Sequence, residues 1–239
     1  MRNLKIKDLL TIVIPCKNEG LIIKKTLNLL NKQIGIDGTK VIVADISNDK
    51  WFTFGCIESE YNKNISIEII QGGYPSVGRN NGAKRVRTKY VLFLDADMFI
   101  KDENLISTLL NKMENKDIHL LTTKIRTEDG EYDYIYKSFD LAQFLIKFTT
   151  PFAVGGFMLF NKQMFDQLGG FNEEDKFAED YHLSSKIKPK NFYIDKHIVY
   201  TTPRRFKNKG LYYMVKLMIK TYLNQKNDKF FTKEHGYWV

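Results

Sequence analysis

Apolar residues along the chain follow two patterns. Short continuous runs at residues 9–15, 41–44, 65–70 and 90–94 are rich in aliphatic and β-branched side chains. Each is bounded by turn-forming or charged residues, which is how a strand buried on both faces reads. Between the runs, apolar positions recur at helical spacing. One such stretch carries Leu21, Ile22, Leu27, Leu30 and Ile34 and breaks at Asp37-Gly38. Asn18 stands before it as the expected N-cap, with Glu19 in the first turn, where a carboxylate is favoured. A second stretch, residues 76–87, is small and basic rather than apolar, with Gly78, Arg79, Asn80, Asn81, Gly82, Ala83 and Lys84. A glycine inside a helix costs about 1 kcal/mol against alanine, so Gly78 and Gly82 need a reason, such as close approach to the sheet or to a ligand. Strand, helix and strand in alternation predict an α/β fold. Its sheet is Rossmann-like and mostly parallel, with right-handed crossovers and helices on both faces.

The second half continues the pattern less regularly. Residues 118–125 read as a strand and residues 131–149 as a helix that is apolar around most of its circumference, through Ile135, Phe139, Leu141, Phe144, Leu145, Ile146 and Phe148. Such a helix is expected to be buried; the alternative is a wall of an acceptor site facing lipid. Gly155-Gly156 precede a further apolar strand, where they permit a conformation or approach that a side chain would block. From Arg204 onward the chain is basic, with Arg204, Arg205, Lys207, Lys209, Lys216, Lys220 and Lys226 flanking an apolar and aromatic run at 211–219. That run suits either a helix lying in an anionic lipid interface or one packed on the domain.

Composition narrows the partners. The 239 residues carry 37 Lys and Arg against 28 Asp and Glu, a net charge of +9 that favours an anionic ligand or surface. With only Cys16 and Cys56, neither a disulfide framework nor a cysteine zinc site is expected. The first residues lack the apolar core of a signal peptide, and no apolar run approaches the roughly 20 residues that span a bilayer. The expected location is the cytoplasm, or the inner face of the membrane as a peripheral protein. The basic segment 84–89 flanks a core strand without regular aromatic interleaving, so nucleic acid is not an expected partner.

The chemistry gathers at strand ends. Run 90–94 leads into Asp95-Ala96-Asp97, and run 41–44 ends at Asp45. In open α/β sheets, ligands bind at the C-terminal strand edge. Along an extended chain Asp95 and Asp97 would point the same way, and two such carboxylates call for a cation between them. A solvated turn is the plainer alternative for that tripeptide. Neither the Gly-x-Gly-x-x-Gly fingerprint nor a Gly-Lys-Ser/Thr phosphate loop follows the first strand, so a metal-bound phosphate group is the better expectation.

Seven motifs in order carry a resemblance. They are Pro15-Cys16-Lys17-Asn18-Glu19, Asp45-Ile46-Ser47-Asn48-Asp49, Gly78-Arg79-Asn80-x-Gly82, Asp95-Ala96-Asp97, Gly155-Gly156, Gly169-Gly170-Phe171-Asn172-Glu173 and Glu179-Asp180. From about residue 10 to 205 the chain resembles the inverting nucleotide-sugar glycosyltransferases of family 2, which have the GT-A fold. The resemblance implies a catalytic domain over residues 1–205, with a nucleotide-binding half at about 9–100 and an acceptor half at about 101–205. A C-terminal basic amphipathic helix and tail follow at 206–239. It implies that Pro15, Asn18, Glu19, Asp45, Arg79, Asp95 and Ala96 bind the donor and that Asp97 ligates Mn²⁺ or Mg²⁺. Gly156, Glu179, Arg204 and Arg205 would lie on the acceptor or diphosphate side, with Asp180 as catalytic base. UDP-sugars are the favoured donors, GDP- and dTDP-sugars the alternatives, and the acceptor a glycan or a polyprenyl-linked saccharide of the cell envelope.

The chain departs from the family's pattern twice. Many relatives place a late histidine beside the metal or diphosphate, where this chain has a threonine in Thr201-Thr202-Pro203-Arg204-Arg205, and His197 lies upstream. The Gln-x-x-Arg-Trp of processive synthases is missing, which implies one sugar per acceptor. The rival readings are a nucleotidyltransferase and an inactive nucleotide-sugar binding module.

Overall fold

In the computed structural model, which describes residues 5–61, 63–224, 227–233 and 235, eight strands form one sheet. Lys226 of the basic segment lies outside the described residues. The strands are β1 (Leu10–Cys16), β2 (Lys40–Asp45), β3 (Ser66–Gln71), β4 (Tyr90–Leu94), β5 (Met98–Phe99), β6 (Leu120–Thr127), β7 (Phe157–Asn161) and β8 (Phe192–Thr201). Their order is β3-β2-β1-β4-β7-β6-β8-β5. Strands β1 to β4 pair in parallel, β7 runs antiparallel between β4 and β6, and β8 returns parallel to β6.

The helices are α1 (Ile6–Leu9), α2 (Gly20–Asn31), α3 (Phe52–Glu58), α4 (Pro75–Ala83), α5 (Leu105–Asn115), α6 (Asp133–Ile146), α7 (Lys162–Gln167), α8 (Glu179–Ser184), α9 (Arg204–Lys209), α10 (Leu211–Leu223) and α11 (Asp228–Phe231). The apolar runs become strands because their residues alternate between two cores. Ile12, Ile14, Leu92 and Leu94 belong to one cluster, Val13, Val91 and Phe93 to the other. Phe93 sits in a ring cluster with Phe160, Phe165 and Phe171, at centroid distances of 4.9–6.0 Å.

Helix α4 shows why its glycines are there. A Cβ on Gly82 would lie 2.3 Å from Val13 Cγ1, and one on Gly78 would touch Ala44 and Pro15 at 3.4 and 3.6 Å. The close approach is therefore to the sheet, and it brings the backbone of α4 down onto β1 and β2.

Three expectations change. Helix α2 starts at Gly20, and Asn18 does not cap it; Asn18 sits in the left-handed region at φ 55° and its side chain turns to Asn48. The buried stripe of α2 is Ile23, Leu27 and Leu30, while Leu21 and Ile34 face outward. Helix α6 is not buried. Ile135 and Gln143 are its buried residues, and Leu141, Phe144, Leu145 and, just beyond it, Phe148 are 59, 56, 64 and 70 % exposed. Helix α10 shows two faces, with Met214, Leu217 and Thr221 packed and Tyr212, Ile219, Tyr222 and Leu223 open.

Candidate functional site

The parallel register brings the ends of β1 and β2 level, Cys16 opposite Asp45. A short polar lattice then ties the two loops that follow. Asn18 donates its backbone N–H to Ser47 Oγ (2.7 Å), and Ser47 donates its hydroxyl and N–H to Asp45 Oδ1 (2.6 and 3.1 Å). The amides of Asn18 and Asn48 complete the tie: Asn18 Nδ2 donates to Asn48 Oδ1 (2.8 Å), and the Asn48 N–H donates to Asn18 Oδ1 (2.9 Å). Asparagine tolerates the left-handed backbone that this requires. The Pro15-to-Glu19 and Asp45-to-Asp49 motifs thus interlock, and Pro15 lies under Gly78 of α4.

Beyond β4 the chain turns at once, the Met98 N–H donating to the Asp95 carbonyl (3.1 Å). Asp95 and Asp97 part company there. Asp95 Oδ1 accepts from Arg79 Nη2 at 2.5 Å, and the other arm of that guanidinium pairs with Glu179. Burial alone would lower the pKa of Arg79, but the charges of Asp95, Glu179 and Asp180 outweigh it and raise it further. Arg79 is 1 % exposed and is held between these carboxylates at the wall of the site. Glu179 is buried beside it. Ala96 also turns inward: its side chain joins the core and its carbonyl accepts from the Thr26 hydroxyl (2.5 Å).

Asp97 is reached by the end of β8. The short β5 pairs with that end, Met98 opposite Thr201, and this sets Thr202 Oγ1 3.2 Å from Asp97 Oδ2. Arg204 Nη2 lies 3.8 Å from the same oxygen and donates to Glu19 Oε1 at 2.8 Å. Burial raises the pKa of Asp97; Arg205 opposes the shift, Asp95 adds to it, and Arg204 opposes it again. Burial likewise raises Glu19, whose Oε2 is buried without a hydrogen-bond partner. Thr202, noted in the sequence only as standing where a histidine was expected, is the residue that touches Asp97. His197 pairs instead with Asp195, and His182 with Asp175.

Asp180 stands in the first turn of α8, after Ala178 at φ 51°. Its Oδ1 accepts from the Tyr181 N–H (2.8 Å). Burial, then the neighbouring Glu179, push its pKa up to about 7, against the pull of Arg79. Gly155 makes room for it: a Cβ there would lie 2.8 Å from Asp180 Oδ2. Gly156 packs against Met98 and accepts the Asp95 N–H through its carbonyl (3.1 Å). Asn80 fixes the loop that leads to α8, donating to the Phe171 carbonyl (2.8 Å) and accepting the Phe171 N–H (3.0 Å). One helix, α4, thus supplies the packing glycines, the buried cation and the loop anchor.

Asp95, Asp97, Gly155, Asp180 and Arg205 line one cavity of about 590 Å³, which continues between α6 and α10. Its lining joins these charged groups to apolar side chains of α6 and α10, among them Phe139, Ile146, Met214 and Leu217. Asp45 and the Asn18–Asn48 tie lie outside its lining. Among the described residues no cluster of three or more His, Cys, Asp or Glu forms a ready-made metal cage. A hard divalent ion suits this arrangement all the same, since Mg²⁺-type sites take one or two carboxylates and complete their shell with water and substrate phosphate.

The sequence model described as Glycosyl transferase family 2 matches residues 11–169, more than half of the chain. The chain belongs to glycosyl transferase family 2. Among curated proteins it is 25 % identical over 195 residues to the O-antigen chain rhamnosyltransferase RfbN of Salmonella typhimurium, covering 74 % of this chain and 60 % of that one. It therefore spans less than two thirds of that relative's length. Solved structures of similar fold include the mannosyltransferase PcManGT of Pyrobaculum calidifontis in complex with GDP-Man and Mn²⁺, at a TM-score of 0.67 and 15 % identity, covering 94 % of this chain and 64 % of that one. S. aureus TarS 1–349 in complex with UDP matches at 0.62 and 22 %, covering 84 % and 62 %. Glucosyl-3-phosphoglycerate synthase of Mycobacterium tuberculosis, with Mn²⁺, UDP-glucose and phosphoglyceric acid, matches at 0.62 and 14 %, covering 92 % and 80 %. The family 2 chain has the GT-A fold, as expected from its motifs.

Proposed function

We propose that this family 2 protein is a glycosyltransferase that moves one sugar from a nucleotide-sugar donor to an acceptor hydroxyl with inversion, in a metal-dependent reaction. The observation that carries the reading is Asp180: a buried carboxylate with a raised pKa, in the same cavity as Asp95 and Asp97. A general base works best with a pKa near the working pH, and Asp180 meets that condition. It would take the acceptor proton as the hydroxyl oxygen bonds to the anomeric carbon. The carbon–oxygen bond to the diphosphate breaks on the opposite face, and the nucleoside diphosphate leaves with the electron pair.

The remaining roles follow from position. Asp45, held by Ser47, suits the imide or amide N–H of a base, and the Pro15–Glu19 loop suits the nucleoside beside it. Mn²⁺ or Mg²⁺ held by Asp97, with Asp95 at its water shell, would supply Lewis-acid stabilisation of the departing diphosphate. Thr202 orients Asp97, and Arg204 and Arg205 add positive charge next to it. Arg79, paired with both Asp95 and Glu179, would hold Asp95 and the start of α8 in place at the wall of the donor site. UDP-, GDP- and dTDP-sugars are the candidate donors; solved relatives carry UDP, UDP-GlcNAc, UDP-glucose and GDP-Man. A cell-envelope glycan fits as acceptor, in keeping with the O-antigen chain rhamnosyltransferase among the relatives.

The test is a thermal-shift screen of the three donor classes with Mn²⁺ and then with EDTA. A ligand that binds only the folded chain raises its melting temperature by mass action. One nucleotide class should shift the wild type, lose its effect in EDTA, and fail to shift Asp97→Ala. A full shift in Asp97→Ala would remove Asp97 from the metal, and no shift with any donor would favour the inactive-module reading.

A further inference from the structure

Asp180 sits on a turn that does not hold its own shape. Ala178, just before it, has a left-handed backbone at φ 51°. Helix α8 spans only Glu179–Ser184 and has no side-chain cap, too short to be stable by itself. A strained residue of this kind persists only where its surroundings over-determine it. From one side the surroundings are α4: Ser76 donates its hydroxyl to the Asp175 carbonyl (3.2 Å), and Asn80 holds Phe171. From the other side they come from far along the chain, from α11. The Lys176 N–H donates to the Phe231 carbonyl (2.9 Å). The Phe231 ring is fully buried and lies nearly parallel to those of Tyr181 and His182, at interplanar angles of 14° and 17° and centroid distances of 6.4 and 4.9 Å. Phe230 meets Phe177 edge-on at 6.2 Å. His182 Nδ1 lies 2.7 Å from Asp175 Oδ2, and its Nε2 faces Asp228 Oδ1 of α11 at 3.7 Å. Residues on both sides of Ala178-Glu179-Asp180 are thus packed by α11.

We propose that α11 is a strap on the general base, and that Phe231 is a positioning residue holding the first turn of α8 where the Asp180 carboxylate faces the cavity. None of the four α11 residues lines that cavity, so the effect is carried by the side chains they support. Phe177 and Tyr181 share one apolar cluster with Phe230 and Phe231, and both line the cavity beside Asp180. Without the Phe231 ring, Tyr181 and His182 lose the surface they rest on. The Tyr181 N–H, which Asp180 Oδ1 accepts at 2.8 Å, would shift with them. Asp45 and Asp97 stand on other elements, at the ends of β2 and β4, so donor contacts would stay in place. Loosening the strap should therefore misplace the carboxylate without weakening donor binding. This rests on the glycosyltransferase reading for the role of Asp180, but the order of the loop can be measured without turnover.

Two readouts on the full chain test this. Backbone hydrogen exchange reports the order of residues 172–184. Release of nucleoside diphosphate from UDP-glucose, GDP-mannose or dTDP-rhamnose, with Mn²⁺ present and water as acceptor, reports the base, which would take a proton from water as from an acceptor hydroxyl. In Phe231→Ala, exchange across residues 172–184 should quicken about ten-fold or more, while that of β1 and β2 stays as in the wild type. The kcat should fall about ten-fold or more, with the donor KM unchanged. Phe231→Leu keeps most of the buried volume; it should show both effects in weaker form, and it serves as the test if the alanine variant does not fold. Wild-type exchange in the folded variant overturns the inference. So does quickening spread equally over β1 and β2, which would make α11 a general brace. Local quickening with an unchanged kcat overturns it too, since Asp180 would then be indifferent to α11. A wild type that releases no diphosphate from any of the three donors sinks the donor reading, and hydrogen exchange alone then decides whether α11 orders the loop.

Discussion

On the β1–β2 edge, the polar groups are tied to one another. Asn18 bonds Asn48 and Ser47, Ser47 bonds Asp45, and the glycines of α4 press that helix onto the strands below. Between α6 and α10 the reverse holds: Leu145, Ile219 and Tyr222 stand open, although Ile135 and Met214 share one apolar cluster. The first region is fixed before any ligand arrives, which suits a site that reads a rigid base. The second leaves apolar surface in water. The match to the family ends at residue 169, so Asp180, Thr202, Arg204 and all of α10 lie beyond it. The tied edge and α6 lie within that match, while α10 lies beyond it.

The contrast breaks first at Asp180, where the two regions meet. Asp180→Asn should cut turnover by about 10³-fold, near the middle of the range for general-base removal, while leaving the donor's thermal shift intact. Near-wild-type turnover would remove Asp180 as the base. The pH profile carries the sign. The base works when deprotonated, so kcat/KM in the wild type should fall as pH drops below about 7. Stability runs the other way. A carboxyl whose folded pKa is raised favours the native state at low pH, and that contribution is lost as pH rises from the unfolded value of about 3.9 through about 7. Asp180→Asn should therefore melt higher than wild type at pH 8, by a few degrees, and lose that advantage toward pH 4.

Arg79 tests the fixed side. Arg79→Met leaves Glu179 and Asp95 facing each other without their buried cation. Removing one partner of a buried pair costs about 3–5 kcal/mol, or a fall of roughly 10 °C in a chain of this size. Adding Glu179→Gln should recover part of the loss, because one unpaired charge goes with it. A single variant as stable as wild type would mean that Arg79 is dispensable to the frame. Gly155→Ala is a milder probe of the same frame. The new methyl would press on the Asp180 carboxylate, and displacement of a base by about 1 Å costs up to about 10²-fold. A fall in kcat of about ten-fold or more, with donor binding unchanged, is expected; an unchanged kcat would show that Asp180 can give way.

The sheet was legible because buried parallel strands announce themselves as unbroken apolar runs, and β1, β2, β3 and β4 appear within a residue or so of where those runs predict them. The strand-end carboxylates were legible for the same reason. Three features were not. For Arg79, nothing near it in sequence shows that Asp95 and Glu179 will surround it. Thr202 meets Asp97 only because β5 pairs with the far end of β8, a long-range contact with no local signature. The apolar circumference of α6 was plain in the sequence, but whether protein or another apolar phase covers it depends on what packs above it. Here the cover is partial, with Leu141, Phe144 and Leu145 left open.

That openness gives the smallest and most discriminating prediction. A phenylalanine in the fixed core, such as Phe93 within its ring cluster, should cost about 3–5 kcal/mol when cut to alanine, because a cavity is left behind. Phe144→Ser and Phe148→Ser remove rings that mostly face water already, at 56 and 70 % exposed. Exposed substitutions of this kind usually stay within about 0.5 kcal/mol. Urea unfolding should therefore give the two serine variants a midpoint close to that of the wild type, and better solubility. If either cost as much as 2 kcal/mol, these rings would be packed in solution by the chain itself or by a second copy of it. The contrast between the tied edge and the open helix α6 would then disappear.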